Sequence, residues 1–131
     1  MKIRRDVLQG MIDHARRASP IEACGFLAGR DDTIDRLIPA TNERNSPVSF
    51  WVPVPELFDL FRLLRSERLT LLGIYHSHPG SAAIPSQEDR ELFFYPGVSY
   101  WIVSLATNPP DIGCFTWGKM DFERTEYVVL M

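Results

Sequence analysis

At 131 residues the chain is long enough for one compact domain with a real core and too short for two ordinary ones. Hydrophobic residues make up 45% and charged residues 24%, a balance that excludes a disordered chain, collagen or a coiled coil. The net charge of −3, with Lys and Arg scattered apart from small clusters at 2–5 and 16–17, excludes a nucleic-acid footprint.

The chain opens MKIRRDVLQGMIDHARR, which is basic but lacks the apolar core and small-residue cleavage site of a secretory signal. From about Arg5 to Ala18, apolar residues at Val7, Leu8, Met11, Ile12, Ala15 and Ala18 recur at helical spacing, so a first amphipathic helix is expected there. It stops before Ser19-Pro20. CGFLAG (24–29) and TIDRLIPA (33–40) flank the turn-prone Arg30-Asp31-Asp32 and read as a hairpin. TNERNSP (41–47) is a polar loop, and VSFWV (48–52) reads as a short strand. Pro53 and Pro55 fit the entry of a second helix, ELFDLFRLLRSER, whose Leu57, Phe58, Leu60, Phe61, Leu63 and Leu64 suit one broad buried face.

LTLLGIYHSH (69–78) is almost continuously apolar and reads as a buried central strand, ended by Pro79-Gly80. A third helix is expected from Ser86 to about Phe94, stopped by Pro96-Gly97. Three strands then follow over 98–106, 111–118 and 121–131. VSYWIVSLA (98–106), the longest strongly apolar run, is far too short to span a bilayer as a helix, so no membrane role is expected. The two cysteines, Cys24 and Cys114, do not make a disulfide framework, and a soluble, reduced, cytoplasmic setting is expected. The element order implies an α+β architecture: a mostly antiparallel or mixed sheet with about three helices packed on it, in one domain over 1–131.

The chemistry concentrates in YHSHPGSAAIPSQED (75–89), which holds two of the chain's three histidines. Strand residues two apart share a face, so His76 and His78 project together with Cβ atoms roughly 6.5–7 Å apart while Ser77 faces away. Two imidazoles at that spacing can grip one metal, and a catalytic zinc site takes three protein ligands and keeps a fourth position open. Asp89 is the candidate third ligand, because the loop PGSAAIP can fold the following helix start back toward the strand end. Its place in a first helical turn, near positive backbone dipoles, favours the ionised form. Bound zinc acidifies water to a pKa of about 7 and polarises a carbonyl, which makes amide hydrolysis feasible at neutral pH.

Such a site also needs a proton carrier and a donor for the developing oxyanion. Glu22, just before CGFLAG, is the candidate general base if that strand lies beside 69–78, and Ser86 can present a hydroxyl from the same helix start as Asp89. Each residue has a plainer alternative. Ser86 and Asp89 also read as a helix N-cap with an acidic residue three positions on, and the two readings are compatible. His76 and His78 could be strand-end histidines with satisfied hydrogen bonds, and Glu22 a solvated or ion-paired carboxylate. Cys24 reads first as a small buried filler and second as an alternative metal ligand. His14, on the first helix, is read as a surface or half-buried side chain with nothing to mark it as catalytic.

Other hydrolase signatures are absent. There is no H-E-x-x-H, no P-C-x-x-C, no G-x-S-x-G and no P-loop, and a TIM barrel opening on H-x-H would need roughly twice the length.

Glu22, His76-Ser77-His78-Pro79, Ser86 and Asp89 together resemble the E…H-[ST]-H-P…S-x-x-D signature of the JAMM, or MPN-plus, metalloprotease family. The blocks PIEACGFLAG and LLGIYHSHPG look like that family's too, in a compact prokaryotic-type form that covers essentially the whole chain. The resemblance implies a fold similar to cytidine deaminase, with a curved sheet between helices. It implies a zinc-dependent peptidase or isopeptidase acting just after the C-terminal tail of ubiquitin-like proteins, small β-grasp sulfur carriers included. By position it makes His76, His78 and Asp89 the zinc ligands, Glu22 the general acid/base and Ser86 the oxyanion-stabilising hydroxyl. The rival reading is a non-catalytic MPN-type module that binds a ubiquitin-like partner or a larger assembly, and the intact five-residue set argues against it. Family members that cut ubiquitin chains carry insertions that grip ubiquitin, for which this short chain has little room. The 41–55 loop and the aromatic segment LFFYPG (92–97) are the candidates for substrate contact.

Overall fold

The computed structural model describes residues 1–91 and 97–131. In chain order the elements are β1 (Lys2–Arg4), α1 (Arg5–Ala18), β2 (Cys24–Arg30), β3 (Thr33–Ala40), α2 (Val54–Glu67), β4 (Thr70–His78), α3 (Gln87–Glu91), β5 (Ser99–Ser104), β6 (Asp111–Trp117), β7 (Phe122–Arg124) and β8 (Val128–Leu130). Residues 92–94, expected to continue the third helix, and most of the aromatic segment 92–97 lie outside the described residues.

The eight strands form one sheet in the order β7-β6-β5-β4-β2-β3-β1-β8. β2–β3, β2–β4, β5–β6 and β6–β7 pair antiparallel, whereas β4–β5, β1–β3 and β1–β8 pair parallel. The sheet is mixed, as the sequence implied. It is also curled: laid flat, eight strands would span roughly 34 Å, yet the edge strands β7 and β8 are joined by a chain that reaches at most about 14 Å between Arg124 and Val128.

α1 supplies the centre of that curl. Its stripe Val7, Met11 and Ala15 is buried with Ile3, Trp101 and Val103, and Val129 of β8 and Tyr127 just before it pack on the same cluster. Each fully buried Met, Val or Ile side chain contributes about 1.5–3 kcal/mol, so the helix is held by packing more than by propensity. On the other face, Leu60 and Leu64 of α2 pack with Phe26, Ile74 and Ile102. The layers are therefore α1, sheet, α2, the α+β arrangement expected.

Four local expectations are corrected. β1 was not foreseen, because three residues are too few for a period to show, and it exists through parallel pairing with β3 and β8. Residues 48–52 are not a strand: their loop is built around the Asn42 side chain, whose Oδ1 accepts from Trp51 N–H and whose Nδ2 donates to Ser49 O, so no ladder is required. The run 121–131 splits into β7 and β8 at opposite sheet edges, with Thr125 N–H donating to Cys114 O at the break. Finally, α2 buries a narrower face than its leucines and phenylalanines suggested. Leu60 and Leu64 are buried, while Phe58 (64% exposed) and Phe61 (47%) join Val54 (57%) in an outward stripe on the far side.

The parallel β4–β5 pair requires a crossover, and that crossover, leaving the carboxyl end of β4, carries α3. Since β2 runs antiparallel to β4 with Cys24 opposite His76, the residues entering β2 lie beside the residues ending β4. Glu22, His76, His78 and α3 are thus drawn to one end of the sheet.

Candidate metal centre

Along β4, Ile74, His76 and His78 share the α2 side of the sheet, and Tyr75 and Ser77 face the α1 side. Ser77 locks the strand pair beside the site: its Oγ accepts from Ala23 N–H at 2.8 Å, and its N–H donates to Ala23 O at 2.9 Å. Glu22, His76, His78 and Asp89 are all buried, an arrangement that four polar side chains tolerate only if something satisfies them.

The two imidazoles approach through Nε2 at 3.0 Å. His78 Nδ1 lies 2.8 Å from the Ala82 carbonyl, which only accepts, so Nδ1 carries the hydrogen and Nε2 of the neutral ring keeps its lone pair. The Asp89 carboxylate spans the pair, with Oδ1 3.3 Å from His76 Nε2 and Oδ2 3.3 Å from His78 Nε2. Burial by itself would raise the Asp89 pKa, but contacts with both histidines and the Ser86 N–H hold it well below the usual carboxylate range. Burial lowers His76, whereas the Asp89 and Ala82 contacts outweigh burial and raise His78.

Asp89 is placed by its own helix start. Its Oδ2 accepts from Ser86 N–H at 2.8 Å, and its N–H donates to Ser86 Oγ at 3.0 Å, a reciprocal cap of α3. Ser86 is half-buried, and because its oxygen accepts from Asp89, the hydroxyl hydrogen is what it can offer a ligand.

Glu22 is the outer carboxylate. Its Oε1 lies 4.0 Å from His76 Nε2, and the donor atoms of Glu22, His76 and His78 all fall within 4.8 Å of one another. Two carboxylates thus flank the histidines, and distance separates them: Asp89 is within 3.3 Å of both rings and Glu22 is not. Burial pushes the Glu22 carboxyl up to about 8, with Asp89 and Glu88 adding to the rise and His78 opposing it. Among the described residues, Glu22 Oε1 and His76 Nδ1 are buried without a hydrogen-bond partner.

These atoms fit a divalent cation. Donors about 2.0–2.1 Å from a tetrahedral zinc lie roughly 3.3 Å from each other. The three contacts among His76, His78 and Asp89 are 3.0, 3.3 and 3.3 Å. A His78 Nε2 lone pair aimed at a second imidazole nitrogen and a carboxylate is better matched by a shared cation than by a hydrogen bond.

Of the residues singled out from sequence, five converge here. Cys24 does not join them as a ligand: burial pushes its thiol up to about 12, and Sγ points at the Thr41 carbonyl at 3.6 Å. His14 is half-buried on the opposite side of the sheet, with Nδ1 2.7 Å from Tyr75 Oη. The sequence reading missed Tyr100, whose hydroxyl donates to Asp89 Oδ1 at 3.3 Å and whose ring tilts against His76. The signal available was parity, since Tyr100 and Ile102 alternate with Trp101 along a strand expected to be buried. It also missed Phe50, stacked on His76 at 4.9 Å, and the Arg44–Glu88–Ser49 contacts that tie the 41–52 loop to α3.

A histidine pair at the end of a central strand, a carboxylate from the following crossover and a second carboxylate entering the neighbouring strand meet in one buried cluster that makes a candidate metal site. The chain belongs to the family of prokaryotic homologs of the JAB domain, whose model matches residues 4–118, and it is a hydrolase of the peptidase class found there. It is 38% identical over 104 residues, 78% of this chain and 71% of the relative, to the CysO-cysteine peptidase of Mycobacterium tuberculosis. It is 32% identical over 111 residues to the desampylase of Haloferax volcanii, covering 79% of this chain and 80% of that protein. The solution structure of protein DSY2949 from Desulfitobacterium hafniense matches with a TM-score of 0.90 and 34% identity, over 99% of this chain and 93% of that one.

Proposed function

We propose that the chain is a zinc-dependent peptidase or isopeptidase that hydrolyses the bond following the C-terminal tail of a ubiquitin-like or sulfur-carrier protein. The observation that carries this reading is the convergence of His76 Nε2, His78 Nε2 and Asp89 at 3.0–3.3 Å, with the unpartnered Glu22 Oε1 4.0 Å from His76. The similarity to a peptidase named for a carrier–cysteine conjugate supports the substrate class. We take residues 1–131 as one catalytic unit, in the cytoplasm, where the buried cysteines Cys24 and Cys114 stay as thiols.

His76, His78 and Asp89 would hold the zinc, which when bound polarises a carbonyl and acidifies water. Glu22, in its ionised form, takes the proton of the attacking water and returns it to the leaving amine, and burial, which favours the protonated carboxyl, helps it hold that proton between the two transfers. Ser86 donates its hydroxyl hydrogen to the oxygen that gains charge as the carbonyl becomes tetrahedral. The Tyr100 hydroxyl and the Ser86 N–H help aim the Asp89 carboxylate at the histidines.

The test is incubation of the zinc-loaded protein with ubiquitin-like carriers bearing C-terminal extensions, with products read by mass. Cleavage should leave the carrier's own terminus and a free amine, stop on chelation and return with zinc. Glu22→Gln should keep its zinc and lose about 10²–10⁴-fold in rate. A Glu22→Gln protein that cleaves as fast as the parent defeats the role given to Glu22.

A further inference from the structure

Glu22 is held from outside its own strand. Its N–H donates to the Ser46 carbonyl at 2.9 Å, and its carbonyl accepts from Asn42 Nδ2 at 3.1 Å. The same Nδ2 reaches Ser49 O at 2.9 Å and Ser46 O at 3.4 Å. Asn42 Oδ1 accepts from Arg44 N–H at 3.1 Å and Trp51 N–H at 3.2 Å. One half-buried amide therefore folds the 42–51 loop around itself and fastens that loop to the backbone of Glu22. Both hydrogens of its NH₂ and both lone pairs of its oxygen are used, which an aspartate, having no donor, cannot reproduce.

This clamp complements the Ser77 lock on Ala23, whose N–H belongs to the same peptide unit as the Glu22 carbonyl, and it matters because the Glu22 side chain itself is little restrained. Its Oε1 lacks a hydrogen-bond partner among the described residues, and Glu22 lies before the first residue of β2, so the β2–β4 ladder begins only past it. The direction of the carboxylate is then set by where the backbone puts its Cα. A proton carrier must come within about 2.6–3.2 Å of the group it serves, and a misplacement of about 1 Å can cost on the order of 10²-fold.

We propose that Asn42 is the positioning residue for Glu22: its Nδ2 pins the Glu22 carbonyl while the loop it organises pins the Glu22 N–H. The assignment rests on the reading of Glu22 as the proton carrier. The Asn42 side chain bonds only to backbone groups and to none of His76, His78 or Asp89, so its effect should fall on the proton-transfer step and not on zinc binding. Asn42→Asp is the sharpest probe, since it is isosteric, keeps the two contacts made by Oδ1 and sets a carboxylate oxygen against three carbonyl oxygens.

The experiment compares the parent with Asn42→Asp, Asn42→Ala and, as a control, Gln9→Ala, which removes only an exposed contact with Asp13 on α1. On a conjugate the parent cleaves, Asn42→Asp and Asn42→Ala should lower kcat about tenfold or more with KM changed by less than about threefold. Zinc affinity, measured by competition with a chromogenic chelator, should be unchanged, and Gln9→Ala should stay within about twofold of the parent in kcat. In the metal-free protein, hydrogen exchange at the Glu22 amide should quicken about tenfold or more in both Asn42 variants, with the core amide of Ile102 unaffected. An unchanged kcat, a change confined to KM, or weakened zinc binding overturns the proposal. So does an unchanged Glu22 amide, or faster exchange at Glu22 and Ile102 alike, which marks a general loss of stability. If the parent cleaves nothing, the functional reading fails by itself, and the exchange result alone then decides whether Asn42 holds Glu22.

Discussion

Ser86 and Asp89 satisfy each other across the first turn of α3: Ser86 N–H donates to Asp89 Oδ2 at 2.8 Å, and Asp89 N–H donates to Ser86 Oγ at 3.0 Å. The carboxylate that spans the two histidines is therefore aimed by the residue that also offers the site a hydroxyl. The helix cap thus also aims the carboxylate proposed as a metal ligand.

Two separable losses are expected from Ser86→Ala. Removing the cap should cost about 1 kcal/mol of stability, and removing a donor to the oxyanion should lower kcat by about 10²–10³-fold. Ser86→Thr should restore most of the first. Thermal melting and steady-state kinetics on the same preparations distinguish them. A full melting loss with unchanged kcat would leave Ser86 as a cap alone.

Stability of the metal-free chain should fall as pH rises through the neutral range because of Glu22. Burial holds its carboxyl protonated in the folded state up to about 8, against an ordinary value of 4.5. Between those values the unfolded chain has lost the proton and the folded chain keeps it. The contribution of Glu22 is thus fully present below about 4.5 and disappears as pH climbs through about 8, at about 1.4 kcal/mol per pH unit. Glu22→Gln removes that slope. Melting of chelated parent and variant between pH 5 and pH 8 should show the variant gaining steadily on the parent, and parallel curves would show that Glu22 is not held protonated.

Gly25 is expected to tolerate no methyl group. It pairs with Tyr75 across β2 and β4, and a Cβ at Gly25 would come 2.5 Å from the Tyr75 ring, which is 1% exposed and held to His14 through its hydroxyl. Close approach, not backbone conformation, makes glycine necessary here, as Gly25 does not have a positive φ. Gly25→Ala should cost about 1–3 kcal/mol by overpacking and displace the strand next to His76. Chemical denaturation measures the first effect and zinc affinity the second. An unchanged midpoint would mean that the ring finds another position.

Much of the site was legible in the sequence because its chemistry is written locally. His76 and His78 are two apart on one strand, so period alone puts them on one face, and Ser86 and Asp89 are three apart at a helix start, so capping alone brings them together. Period 3.6 likewise identified α1 and its buried stripe. Where the reading failed, the deciding contact was non-local. β1 is too short to show a pattern and exists through β3 and β8. The 48–52 run has the composition of a strand, but the Asn42 amide supplies the bonds a ladder would have made. Phe58 and Phe61 looked like core because helical spacing gives two apolar stripes on α2 without saying which one meets the sheet.

By itself the sequence determined which donors exist and which of them share a face, since those follow from residue type and from the periods of strand and helix. The tertiary structure decided what distance decides. Both Asp89 and Glu22 are buried carboxylates beside the same imidazoles, and only the crossover from β4 to β5 sets Asp89 against both rings while the antiparallel β2–β4 register leaves Glu22 at 4.0 Å from one. Interaction strength depends on separations of tenths of an ångström, and a linear chain specifies those only after strands far apart in sequence have paired.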